Sequence, residues 1–394
     1  MRIWLTAALL AIAGCLNYAD RTAISAVFPL LRSDLGMSDA ELAAIGTAFL
    51  WTYSAASPLA GMAADRWARH RLVAISLMAW SLATLWGAAA RDKDELILTR
   101  VALGLSECLY LPAAVGLIAD LHGLQTRGRA LGLHSMGIFL GSVVGGGLAG
   151  LLADHFGWRA GLTVLGAAGV VWAIVLWFIV LPAKRIENQE HEPLSHRLGI
   201  LFRLKTFYLF AAQAMLVSVG TWMFFNWMPL YLKERFSLSL AAAGFSGTAT
   251  LQVAASVGLI VGAVISDRMA KRHASIRFLL MSVFFLCSAP FLLVFASDAG
   301  LYVVTAGMIA FSLFRGLGMA NETPSLCDLL PSNVRSTGQG LMNMLNTFAG
   351  GIGVYIAGRL KQDWGLGGVF SGVSVVMVLA AALAYAAFLR QRRS

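Results

Sequence analysis

The sequence predicts an all-α membrane protein of twelve transmembrane helices in two six-helix lobes, and three observations predict it. Of the 394 residues, 58% are hydrophobic and only 13% charged, outside the composition of soluble domains. Apolar runs of the roughly 20 residues needed to cross a hydrocarbon core recur about twelve times along the chain. The loops after the second and eighth runs also repeat each other, "GMAADRWARHR" (Gly61 to Arg71) against "AVISDRMAKRH" (Ala263 to His273). An internal repeat of this kind is a common construction of secondary transporters.

In chain order the first span, 3-31, contains "CLNYADRTAIS", which puts Asp20 and Arg21 side by side inside an apolar run. The "AIAG" before it belongs to this span and is not a signal-peptide cleavage site, because cleavage would leave eleven spans and spoil the repeat. The second span, 40-64, begins within "GMSDAELAAIGT" (36-47) and ends in the first copy of the repeated loop; the third is 71-90. The fourth, 95-120, carries Arg100 and Glu107 in "RVALGLSE". The fifth, 130-152, has Gly137, Gly141 and Gly145 at four-residue spacing, a small-residue face suited to close helix packing. The sixth is 160-182, and the polar interval 181-205 then separates six spans from six.

The seventh span, 206-232, is rich in aromatic residues, among them Trp222, Phe224, Phe225 and Trp227. The eighth, 241-265, precedes the second copy of the loop, and the ninth is 275-297. The tenth, 300-328, contains Arg315, Asn321 and Glu322. The eleventh, 336-358, contains Asn343, and the twelfth is 367-389. This gives an N-terminal lobe at 1-182, a cytoplasmic linker at 183-205 and a C-terminal lobe at 206-394.

Most of the 30 Lys and Arg fall on one side if both termini are cytoplasmic, so the positive-inside rule orients the chain N-in and C-in. The net charge of +10 thus reports topology. Nucleic-acid binding is excluded as a reading because the basic residues sit in short loops and build no continuous patch. Cys15, Cys108, Cys287 and Cys327 lie in or near the ends of different spans without ligand spacing, and read as small core residues. No nucleotide-binding loop, nucleophile triad or metal cluster appears, so an enzyme is not expected, no cofactor is implied, and energy would come from an ion gradient.

Ionisable groups at membrane depth are costly and face a polar cavity or a partner. Arg100 and Glu107 share a helix face two turns apart, about 10 Å along the axis, too far for a direct pair. Their partners are sought in the first span, where Asn17 shares a face with both Asp20 and Arg21. In the second half, aligning "RGRALGL" (127-133) with "RSTGQGL" (335-341) brings Arg315 opposite Glu107 in the repeat.

The loop residues Gly61, Asp65, Arg66, Arg69 and His70 match the signature Gly-x-x-x-Asp-Arg-x-x-Arg-Lys/Arg except at the last position, and the chain resembles the major facilitator superfamily over essentially its whole length. The second copy uses Asp267, Arg268, Lys271 and Arg272, with Ala263 in place of the glycine. The resemblance implies that these loops act as a conformational latch. It also implies that such transporters sit in the cytoplasmic (inner) membrane as multi-pass monomers, with the lipid bilayer as surroundings.

"NYADR" together with "RVALGLSE" resembles the Asn-Tyr-x-Asp-Arg and Arg-x6-Glu patterns of the anion:cation symporters and of the Spinster-like transporters. By that resemblance Asp20 and Glu107 carry the coupling proton, and Arg21 and Arg100 hold an anionic substrate or gate its release. Arg315 is the expected second-lobe anchor for the anion. Tyr18, Tyr53, Asn17, Asn321, Glu322 and Asn343 are candidate lining residues. The function implied is proton-coupled symport of a small organic anion, such as a sugar acid or carboxylate, by alternating access. The alternative is a Spinster-like exporter of lysophospholipid or another amphiphile. A transceptor is disfavoured by the lack of an appended soluble domain, and a channel by the lobed repeat.

Overall fold

A computed structural model describes residues 2–182, 194–271, 273–331 and 334–393. Among these residues the regular structure is helical throughout: α1 (Arg2–Ala26), α2 (Phe28–Leu35), α3 (Asp39–Arg66), α4 (Arg69–Ala89), α5 (Lys93–Glu107), α6 (Tyr110–Leu121), α7 (Leu124–Phe156), α8 (Trp158–Ile179), α9 (Leu194–Arg203), α10 (Lys205–Phe236), α11 (Leu240–Ala270), α12 (Ile276–Ser288), α13 (Leu301–Met319), α14 (Glu322–Leu329) and α15 (Arg335–Arg393). A 3₁₀ segment, Ala289–Ala296, continues α12. Ten stretches among the described residues are long and apolar enough to cross a membrane. The last of them runs Arg335–Arg392, and α15 bends within it at Gly365, whose φ of 63° is not helical.

Several runs read as single spans are broken, and proline accounts for the breaks. Proline lacks an N–H, and its ring clashes with the carbonyl four residues earlier. Pro112 disrupts the turn at Cys108, where α5 ends and α6 begins; Pro324 does the same at Ala320, between α13 and α14. Pro29 stands in the first turn of α2, after α1 has ended at Ala26, and Pro290 opens the 3₁₀ segment. Pro112 and Pro324 each stand third in the segment after the break. Aligned on these breaks, Met319 rather than Arg315 stands opposite Glu107 in the repeat. This break-based register differs from the loop-based one by four residues, about one helical turn.

The chain divides into two compact units, one of Met1–Gln189 with Phe225–Ala249, the other of Glu190–Phe224 with Thr250–Ser394. In the first, α7 packs on α1 through its glycine stripe. A Cβ at Gly137, Gly141 or Gly145 would come within 2.0, 2.0 and 2.3 Å of the carbonyl oxygens of Ala11, Cys15 and Ala19. Only glycine permits that approach, one contact per helical turn. Gly104 does the same for α5 against α3, where a Cβ would stand 2.7 Å from the Phe49 oxygen. This first unit also contains the Asp154 carboxylate, which caps the start of α11 by accepting from the Leu240 and Ala241 amides at 3.0 and 2.9 Å.

In the second unit a Cβ at Gly353 would come within 2.3 Å of the Val219 oxygen of α10, and a Cβ at Gly258 or Gly316 within 2.1 or 2.2 Å of the Leu313 or Ala255 oxygen, so these glycines let α11 close on α13. Its apolar centre is a ring cluster of Phe224, Phe295, Phe311 and Phe370. The C-terminal part of the interval read as a linker is helical, α9, with Leu201 buried; residues 183–193 lie outside the described residues.

Candidate functional site

The α1–α7 contact leaves the opposite face of α1, with Asn17, Asp20 and Arg21, to meet α5. Arg21 donates from Nε to Glu107 Oε2 at 2.8 Å, and the two side chains are 8% and 0% exposed. Glu107 is the last residue of α5 before the break. Around the guanidinium stand three rings, Tyr18, Phe49 and Tyr53, with centroids at 4.7, 5.1 and 4.8 Å from Cζ. Ring faces attract a cation, more strongly when water is excluded. Gly104 makes this box: by letting α3 close on α5 it brings Phe49 and Tyr53 over Arg21.

Arg100, 4% exposed, lies two turns back on α5 with Asp20 and Glu107 as its opposing charges, yet no carboxylate among the described residues is within ion-pair distance of it. Asp20 faces Glu107, Arg100, Trp80 and Thr84. Asn17 Nδ2, Asp20 Oδ1, Glu107 Oε1, Trp80 Nε1 and Thr84 Oγ1 are all buried without a formed hydrogen-bond partner. Buried polar atoms are ordinarily paired; here Trp80 and Thr84 face Asp20, and Asn17 faces Glu107, so the five atoms form one buried polar cluster. Trp80, Thr84 and Phe49 were not anticipated; the polar Thr84 within an apolar run was the signal available.

In the second unit Arg315, also 4% exposed, donates from Nη1 to Thr221 Oγ1 and Met319 Sδ, both at 3.1 Å. Glu322 is half-buried and faces Gln213. Asn321 is fully buried and its Nδ2 donates to the Leu317 and Gly318 carbonyls at 3.1 and 3.3 Å, so its amide closes the end of α13. Asn343 is exposed on α15.

The loop residues divide. Arg69 donates from Nη1 to Asp120 Oδ2 at 2.6 Å and from Nε to the Ala64 carbonyl at 3.2 Å, joining the start of α4 to the end of α6. In the second unit Arg277 donates to Asp328 at 3.1 Å and, at longer range, to Asp267. Both principal pairs span 51 residues, so Asp120, Asp328 and Arg277 are repeat-related partners that the motif alone does not reveal. Arg66, Arg268 and Lys271 are exposed. Arg272 lies outside the described residues, as does the Asp65 side chain. A Cβ at Gly61 would meet nothing within 4 Å, so no helix approaches closely at that glycine among the described residues. His134 is buried and bonded to the Tyr110 hydroxyl at 2.9 Å, which also donates to the Leu10 carbonyl at 2.6 Å. The four cysteines are free thiols.

A profile of the Major Facilitator Superfamily matches residues 10–353 and 246–394. The chain belongs to that superfamily. It is a multi-pass membrane transporter and not an enzyme. The superfamily relatives include a hexuronate transporter of Bacillus subtilis, 27% identical over 96% of this chain and 93% of the relative. An MFS-type efflux pump of Mycolicibacterium smegmatis is 28% identical over 96% of this chain and 90% of the pump. Among solved structures, a bacterial homologue of the human lysosomal transporter Spinster, inward-facing and unoccupied, superposes with a TM-score of 0.87 at 20% identity, covering 98% of both chains. That likeness establishes a shared fold. Within this fold the site holds one buried arginine paired with one buried carboxylate.

Proposed function

We propose that the chain is a proton-coupled symporter of a small organic anion of the sugar-acid type. It would work by alternating access of two six-helix lobes, 1–182 and 206–394, joined by the linker 183–205. The twelve spans follow if α3 is counted with the ten apolar stretches and α15 is divided at Gly365. Both termini would be cytoplasmic, in the inner membrane, and the working unit a monomer.

The observation that carries this reading is the Arg21–Glu107 pair. With Glu107 ionised, Arg21 is neutralised and a second anion gains little by approaching it. Protonation of Glu107 leaves Arg21 cationic in a low-dielectric box, where a substrate carboxylate is the natural replacement. Anion and proton would then bind together and leave together, because either alone leaves an uncompensated buried charge, which is expensive. Asp20, next to Arg21 in the chain, and Arg100, two turns back on α5, extend the same logic, and Arg315 offers a further cationic anchor. The hexuronate relative supports a sugar acid as the anion.

A second reading, export, is favoured by the efflux-pump relative, with lysophospholipid or another amphiphile as cargo. The experiment that separates them is the thermal stability of the purified protein with hexuronates, small carboxylates and lysophospholipids, since a ligand that binds only the folded state raises apparent stability by mass action. Stabilisation by a hexuronate, abolished by Arg21→Ala, supports the symporter. Stabilisation by lysophospholipid alone overturns it.

A further inference from the structure

Glu322 is a half-buried carboxylate at membrane depth that forms no ion pair among the described residues. It opens α14 directly after the break at Ala320 and Asn321. The groups facing it are the Gln213 carboxamide from α10 and Arg315 from α13; Arg315 is turned to Thr221 and Met319 and makes no ion pair with it. Three other charges on α12, α14 and the start of α15 have partners of their own. Asp328 on α14 and Arg277 on α12 hold each other at 3.1 Å, and Arg335 at the start of α15 donates to the Leu330 carbonyl.

Gln213 is 0% exposed, and neither its Nε2 nor its Oε1 has a formed hydrogen-bond partner among the described residues. An unsatisfied buried amide is costly, about 1–3 kcal/mol, and Glu322 is the polar group placed to relieve it. A carboxamide carries a donor and an acceptor. Its Nε2–H can donate to a carboxylate and its Oε1 can accept from a carboxylic acid, so it serves both protonation states. An arginine serves only the ionised one, as Arg21 does for Glu107.

We propose that Glu322 and Gln213 form a second proton-binding site, separate from Asp20 and Glu107, in which Glu322 takes up and releases the proton and Gln213 positions the carboxyl in both states. This goes beyond the transport reading, because the site needs no anionic substrate to operate. It also reassigns Glu322, which the sequence suggested as a lining residue for substrate.

The test is labelling of the substrate-free, full-length protein with dicyclohexylcarbodiimide, which attacks protonated carboxyl groups in apolar surroundings, with the modified residues mapped by mass spectrometry. Glu322 is expected to be labelled, more strongly as the pH falls, and to stay labelled in the Asp20→Asn, Glu107→Gln double variant. Gln213→Leu should move the pH at which labelling sets in, which a merely structural glutamine would not do. A Glu322 peptide that stays unlabelled at every pH in folded wild-type protein overturns the proposal. Labelling that vanishes in the double variant overturns the independence of the site. Because no substrate is present, a failed uptake assay leaves this test intact.

Discussion

Arg21 and Arg315 are both arginines buried at membrane depth, but the two units hold them differently. Arg21 has a carboxylate at 2.8 Å and three rings around it. Arg315 has hydrogen bonds only to a threonine hydroxyl and a thioether, and Glu322, the carboxylate nearest in kind to Glu107, faces a glutamine as well as Arg315 without pairing with the latter. In the first unit charge compensates charge, so any change of protonation must be answered by a counter-ion. In the second, Arg315 and Glu322 act on each other without forming an ion pair, and the groups in contact with Arg315 are neutral dipoles. The first arrangement suits obligatory coupling of a proton to an anion; the second suits a proton alone.

The comparison breaks most visibly if the carboxylates are neutralised. Glu107→Gln leaves a buried guanidinium uncompensated, a change that costs about 3–5 kcal/mol where a buried pair is broken, read as a large fall in thermal stability of the detergent-solubilised protein. Thr221→Val, which removes the corresponding partner of Arg315, loses one hydrogen bond and should cost about 0.5–1.5 kcal/mol. Equal effects of the two would erase the distinction between the units.

Packing offers a smaller contrast. Gly141→Ala forces a methyl onto the Cys15 carbonyl and should destabilise by roughly 1–3 kcal/mol, with Gly353→Ala similar in the second unit. Gly61→Ala, whose Cβ meets nothing, should be neutral or stabilising by up to about 1 kcal/mol. Smallest of all is the loop pair. Asp120→Asn removes the more enclosed partner, 10% exposed against 38% for Asp328. It should cost no more than about 1 kcal/mol, with Asp328→Asn costing less. Unfolding at low and high salt checks this, because the Asp328 pair is the more readily screened.

The residues legible in the sequence were those whose presence is expensive. Asp20, Arg21, Arg100, Glu107 and Arg315 stand out because charge in an apolar run needs a reason, and Gly137, Gly141 and Gly145 because their spacing marks a helix face. The partners were harder to see. Phe49 and Trp80 are ordinary in an apolar span, and only the closure of α3 on α5 at Gly104 gives Phe49 a role. Asp120 and Asp328 sit at span ends where acids are unremarkable, and their pairing depends on the tertiary approach of helix ends 51 residues apart. Gln213, a lone carboxamide in "LFAAQAMLV", carried the same kind of signal as the charges at lower intensity. The breaks after Glu107 and Met319 were readable from Pro112 and Pro324, but hydropathy alone runs straight through them.

The most direct test of the central claim is uptake of a labelled hexuronate into proteoliposomes with and without an imposed inward proton gradient, for wild type and Glu107→Gln. Wild type is expected to accumulate the hexuronate only with the gradient, and Glu107→Gln to show no gradient-driven accumulation. Wild-type uptake that is indifferent to the gradient, or full gradient-driven accumulation by Glu107→Gln, would contradict the account.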